Sequence, residues 1–342
     1  MKNLLLILLF SISICVNAEP DHELVYQLKA SIAKVHVLTE TGGHGVGSGV
    51  AVGKDLIATN CHVLSHATGV KITKFGDSFT PVAFKADWAH DVCILRFQYL
   101  DMTPVELGDS ENLQYEQEVF AIGFPGGRPK PLTSVGRVKG LYTLDDATVV
   151  RTSASFVMGA SGSPLFDQDG KLIAISTFKS PGRDAYFYNV PVKWVKALLD
   201  KPEAELTSLK THDQPFWDAP DASKPFFMRV VLPYQNQDWD TLESVASAWV
   251  KQSPDSVEAE YYLAMAQLGK DQLDQAQQTL NKALALQPHH PSSLFALGLL
   301  AEKSGEKEEV DKVKQTLAGM SDELSQEFAL MLKSEAPPQS PP

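Results

Sequence analysis

The sequence predicts a multidomain protein, an all-β unit followed by an all-α helical-repeat unit. Three observations carry that reading. The chain has 342 residues, more than one hydrophobic core usually fills. From about Ile32 to Val192 its apolar residues fall in short β-rich or alternating runs separated by Gly, Pro and Asp turns. From Trp239 onward the apolar period becomes helical.

The β-rich runs are Ala33-Val35-Val37, Val50-Val52, Leu56-Ile57, Val70-Ile72, Cys93-Leu95-Phe97, Val119-Ala121, Val149-Arg151 and Leu172-Ala174-Ser176. Strands at spacings of about 8–15 residues with few helical stretches imply a sandwich or barrel. Val192 to Leu199 reads as a short amphipathic helix that closes this unit. Residues 201–237 are rich in Pro, Asp and Ser, with Phe216, Trp217, Phe226 and Phe227 among them. A flexible linker does not carry so many aromatic residues, so an ordered strap between the domains is expected. Beyond it, Ala259, Leu263, Ala266 and Leu268 share one helical face, followed by Leu273, Ala276, Leu280, Ala283, Leu284 and Leu286. Pro254 and Pro288 stand 34 residues apart, each ending a helix. The Pro-rich stretch 336–342 is expected to be disordered.

At the N-terminus, Lys2 precedes an apolar run from Leu4 to Ile14, and Val16-Asn17-Ala18 places small residues where a signal peptidase would cut. Residues 1–18 thus read as a secretory signal, too short to span a bilayer stably. A buried N-terminal helix is the alternative. Cys15 follows Ile14, whereas lipid-modified bacterial proteins carry a small residue before the cysteine. The mature chain is expected to start near Glu19, soluble, and periplasmic or secreted from a bacterium. A formal charge of −12 and the lack of any basic run argue against binding nucleic acid or inserting into an anionic membrane.

Three local patterns carry chemistry. Gly159-Ala160-Ser161-Gly162-Ser163-Pro164 supplies a hydroxyl nucleophile, with the N–H groups of Gly159 and Ser161 as donors for an oxyanion. Thr59-Asn60-Cys61-His62-Val63 places an imidazole just past an apolar strand, and His90-Asp91-Val92-Cys93-Ile94-Leu95 places a carboxylate at the start of another. Nucleophile, base and orienting carboxylate form a catalytic triad of His62, Asp91 and Ser161, and the chymotrypsin fold delivers them in that order. The remaining histidines (His22, His36, His44, His66, His212, His289 and His290) show no zinc-ligand spacing, and Cys-x-x-Cys and Gly-rich phosphate loops are absent. No metal or cofactor is expected.

Residues from about Ile32 to Leu199 resemble the protease domain of the HtrA family. Gly47-Ser48-Gly49-Val50, Ala58 to Val63, Val105 to Ser110, Val119 to Gly126, Thr133 to Val138 and Tyr188 to Val192 match its characteristic segments. The resemblance implies a chymotrypsin-like double barrel over residues 19–200 and serine endopeptidase activity on protein or peptide substrates. It also implies that Ser155 lines the primary specificity pocket, favouring a small or apolar residue there. Thr177, Phe178 and Lys179 then form the edge along which substrate lies as an added strand. The family usually has Asn at Ala160, Gly at Ser163 and Asp at Ser153, and here no PDZ domain follows. Instead residues 238–335 resemble tetratricopeptide repeats, one convincing and one degenerate at its second helix, for which protein recruitment is expected. A second reading is a weakly active or inactive protease-fold scaffold that binds partners through the repeats. If His62 meets Asp91, their neighbours Cys61 and Cys93 come close enough for a disulfide, with two buried free thiols as the alternative.

Overall fold

The computed structural model describes residues 19–206, 209 and 214–333. The predicted signal segment, the Pro-rich tail and His212 lie outside them. The chain enters through α1 (His22–Lys29), capped where Asp21 accepts from the N–H of Leu24. No periodic signal had pointed to this helix.

Two antiparallel, barrel-like sheets follow. The first contains β1 (Ile32–Thr39), β2 (His44–Gly53), β3 (Leu56–Thr59), β4 (Ala67–Lys74), β5 (Asp77–Phe79), β6 (Ala83–Asp87) and β7 (Val92–Arg96), in the order β5-β4-β1-β2-β3-β7-β6. A one-turn helix, α2 (Cys61–Leu64), leaves the end of β3. The second sheet closes into a barrel from β8 (Glu118–Gly123), β9 (Leu132–Leu144), β10 (Ala147–Thr152), β11 (Ser163–Phe166), β12 (Leu172–Lys179) and β13 (Phe187–Pro191), ordered β10-β13-β12-β11-β8-β9. Helix α3 (Val192–Leu199) closes the unit as the amphipathic pattern predicts, burying Val192, Trp194, Val195 and Leu198.

The helical unit begins earlier than its clear period. Within the strap, α4 (Phe226–Arg229) and α5 (Val231–Gln235) are wound, too short to show a period in the sequence. Then come α6 (Trp239–Gln252), α7 (Val257–Gly269), α8 (Leu273–Leu286), α9 (Pro291–Ser304), α10 (Lys307–Met320) and α11 (Asp322–Met331). Helices α6 and α8 each stop two residues before Pro254 and Pro288. Helix α10, where the repeat pattern looked degenerate, is a full helix, because Val310, Val313 and Leu317 keep an apolar face turned inward. Among the described residues no helix is long and apolar enough to cross a membrane.

The helices do not stand apart from the barrel. One continuous core joins Tyr142, Tyr188 and Phe178 of the barrel to Phe227, Val230, Tyr234, Trp249 and Tyr262 of the helical unit. Phe227 stacks on Tyr142 at 4.6 Å between ring centroids. A buried polar cluster sits in the same seam. Tyr115 donates its hydroxyl to Glu258 at 3.0 Å, and His290 Nε2 lies 3.6 Å from the same carboxylate. Burial would raise the Glu258 carboxyl, but the hydrogen bond and charge of His290, with Arg151 and Tyr115, hold it below the usual range. Part of the helical unit's surface is therefore committed to the protein's own barrel.

Candidate active site

His62 and Asp91 are brought together by strand pairing. Strands β3 and β7 are hydrogen-bonded with Thr59 opposite Cys93. His62 therefore lies just past the end of one strand and Asp91 just before the start of the other. Asp91 has a left-handed backbone (φ 61°), a conformation Asp tolerates better than most residues. Its carbonyl is held by Asn60 Nδ2 at 2.9 Å, and Asn60 also donates to Thr177 Oγ1 at 3.0 Å. Cys61 and Cys93 are joined by a disulfide, with Cα atoms 4.9 Å apart.

The carboxylate of Asp91 is fully buried and accepts twice from His62. The backbone N–H of His62 donates to Oδ1 at 2.7 Å, and ring Nδ1 lies 2.6 Å from Oδ2. A carboxylate can only accept, so Nδ1 carries the ring proton and Nε2 is left as a base. Among the described residues this is the one hydrogen bond made by the ring, and none joins Nε2 to Ser161 Oγ. Beside the pair, His90 bridges Asp87 at 2.7 Å and Asp145 at 3.0 Å and stacks on Trp194. Burial works against a charge on His90, but the hydrogen bonds and charges of these two carboxylates prevail and raise its pKa.

Ser161 lies in the loop before β11. Its carbonyl accepts from the N–H of Ser48 on β2 at 2.8 Å, while Ser48 Oγ donates to the carbonyl of Gly159 at 3.0 Å. Within the loop, the N–H groups of Ala160, Gly162 and Ser163 donate to Val157, Ser176 and Ala160 respectively. Those of Gly159 and Ser161 have no acceptor among the described residues. The carbonyl of Met158 is turned onto the N–H of Gly126 at 2.6 Å, so the N–H of Gly159, trans to it in the same peptide, points away from that neighbour. Gly159 needs its φ of +90° for this, and a Cβ there would lie 2.7 Å from the Phe124 carbonyl. Two free N–H groups flanking a serine hydroxyl are what a developing oxyanion requires.

Of the residues expected to bind substrate, Ser155 lines a cavity of about 210 Å³ with Ala160, Ser163 and Ser176. Ser163 turns its hydroxyl onto the carbonyl of Ala160 at 2.5 Å. Thr177, Phe178 and Lys179 do not line this cavity. They continue β12 beyond its last pair with β11 (Ser163 with Ser176); Phe178 and Lys179 pair with Tyr188 and Phe187 of β13, Thr177 falls at the register shift before them, and β11 does not reach the other edge. Thr177 is buried, its hydroxyl donating to the Ile175 carbonyl. Sequence reasoning missed Trp217. This strap residue donates Nε1–H to Asp91 Oδ2 at 2.9 Å, and only the aromatic content of its segment pointed to packing.

Residues 47–175, the segment that carries His62, Asp91 and Ser161, match the trypsin-like peptidase domain family. Curated relatives align over a stretch of similar length. The probable periplasmic serine endoprotease DegP-like of Pseudomonas fulva is 33% identical over 168 residues, 46% of this chain and 35% of the relative. The serine protease Do-like HtrA of Bacillus subtilis is 32% identical over 151 residues, 40% of this chain and 34% of the relative. The chain thus spans about a third of the length of these relatives. Among solved structures, the active form of the Rv3671c protease from M. tuberculosis aligns with a TM-score of 0.48 and 23% identity, over 54% of this chain and 88% of that one.

Proposed function

We propose that the protein is an exported serine endopeptidase that hydrolyses peptide bonds of protein substrates through His62, Asp91 and Ser161. The observation that carries this is the doubly hydrogen-bonded His62–Asp91 pair together with a serine loop, tied to β2 through Ser48, whose Gly159 and Ser161 N–H groups have no acceptor among the described residues. In this reading His62 Nε2 takes the proton of Ser161 as its oxygen attacks the scissile carbonyl. The imidazolium so formed is stabilised by Asp91, and the oxyanion is held by the two free N–H groups. His62 then protonates the leaving amine, and water attacks the acyl-enzyme by the same route in reverse.

The open edge of β12 at 177–179 supplies main-chain pairing for an extended substrate, and the small uncharged cavity at Ser155 favours a small or apolar residue before the cleaved bond. Export is supported by the N-terminal signal pattern and by the disulfide, which persists in oxidising compartments. The test is hydrolysis of casein by the mature protein. Ser161→Ala should abolish it, and His62→Ala should cost nearly as much, because the triad acts as a unit.

The repeat helices read as tetratricopeptide-like and retain faces turned away from the barrel for a protein partner. The scaffold reading rests on the missing Ser161–His62 hydrogen bond. Such bonds are often long before substrate binds, so this observation does not outweigh the rest of the site.

A further inference from the structure

Every group expected of the triad lies before Leu165, yet the carboxylate is completed from outside the barrels. Asp91 Oδ1 is occupied by the backbone of His62, and Oδ2 accepts from two donors, His62 Nδ1 at 2.6 Å and Trp217 Nε1 at 2.9 Å. The nearby hydroxyl of Thr177 donates to the Ile175 carbonyl and accepts from Asn60. Among the described residues, Trp217 is then the one side chain besides His62 that donates to this carboxylate.

The indole also occupies a defined place beside the imidazole. Its ring stands edge-on to His62, with centroids 5.3 Å apart and planes at 85°, and stacks on Phe178 at 5.6 Å and 17°. Phe178 is in turn stacked on Tyr188 at 4.8 Å. The strap is fixed here from two sides. The N–H of Phe216 donates to the carbonyl of Ala89 at 2.9 Å, in the turn that leads to Asp91, and the Phe216 ring packs on Phe178 and Phe227. Trp217 thus bridges the helical unit and the reactive pair.

A substrate strand laid on the open edge at 177–179 alternates its side chains between two sides. If the residue before the scissile bond turns toward Ser155, the one preceding it (P2) turns toward His62, where the indole already stands.

We propose that Trp217 is a positioning residue for the triad, fixing the Asp91 carboxylate through its N–H, and the wall that limits the size of the substrate's P2 side chain. The proposal rests on the triad reading above.

The test uses the mature full-length protein as wild type, Trp217→Phe, Trp217→Ala and Ser161→Ala. Each is incubated with a peptide library whose cleavage sites are read by mass spectrometry, and is timed for labelling by a fluorophosphonate. Trp217→Phe keeps the ring and loses only the donor. It should lower kcat and the labelling rate by about 10- to 100-fold, the equivalent of one hydrogen bond to a charged group, with KM little changed. Trp217→Ala should enrich large apolar residues at P2 while leaving the preference at the scissile position unchanged, a selective shift that a merely looser fold would not produce. An unaltered P2 profile in Trp217→Ala, or unchanged kcat and labelling in Trp217→Phe, overturns the proposal while leaving the triad intact. Retained cleavage by Ser161→Ala, or a wild type that neither cleaves nor labels, overturns the triad reading and the proposal with it.

Discussion

The peptide N–H of Ser48, on the first sheet, donates to the carbonyl of Ser161, in the loop of the second, at 2.8 Å. This bond sets the Ser161 loop against the strands that lead to His62. The fit depends on the next residue being glycine. Gly162 has φ +87°, and a Cβ there would fall 2.1 Å from the Ser48 carbonyl oxygen, which is backbone and cannot swing aside. Gly162→Ala should therefore displace Ser161 and lower kcat/KM by about 100-fold, the scale of a misplacement of about 1 Å. Casein turnover measured alongside circular dichroism checks it. Near-normal turnover in a folded variant would show that the loop has slack.

The disulfide pins the exit of β3 to β7 across a sequence separation of 32 residues. In the chain-entropy account, closing such a loop stabilises the fold by about 3–4 kcal/mol. Cys93→Ala, or full reduction, should lower the unfolding midpoint accordingly and also activity, since the same junction sets His62 against Asp91. Mass spectrometry of non-reduced, denatured, alkylated protein should find both cysteines unmodified. Alkylation of both would remove the bridge from the account.

His90 lends pH dependence to the same region. Its native pKa is raised above the ordinary value near 6.5, against its own burial, by Asp87 and Asp145. A raised base stabilises the fold fully below its unfolded pKa, and that contribution is lost as pH rises through the native one. Thermal midpoints of wild type and His90→Gln should differ most near pH 6 and converge at higher pH. A gap that widens with rising pH would contradict the assigned partners.

The seam between barrel and helices predicts joint unfolding. Phe227 is almost wholly buried against Tyr142 and Tyr188 in a core shared by both units. Phe227→Ala should cost about 3–5 kcal/mol and lower one common transition, followed by far-ultraviolet and near-ultraviolet dichroism. Two separate melts, with the β-rich one unmoved, would mean that the barrel stands without the helices.

Residues carrying a local rule were readable in the sequence. The strand runs, the proline helix stops and the His62, Asp91 and Ser161 segments each declare themselves within a few neighbours. Trp217 could not be read in this way, because its hydrogen bond to Asp91 spans 126 positions and depends on how the strap crosses the barrel. Helices α4 and α5 escaped because four- and five-residue helices show too little of a 3.6-residue period. The docking of the helical unit on the barrel was hidden for a third reason. Tyr142, Tyr188 and Tyr262 each look like ordinary core residues of their own unit, and only the fold shows that they share one core.

The triad is tested most directly by labelling the mature protein with a fluorophosphonate and mapping the modified residue. Attack on such a probe requires a serine made nucleophilic by its neighbours, and the free N–H groups of Gly159 and Ser161 should hold the phosphonyl oxygen as they would an oxyanion. A single adduct should form on Ser161 and disappear in His62→Ala. An adduct on any other residue, or a folded and oxidised wild type that takes up no label, would contradict the triad reading.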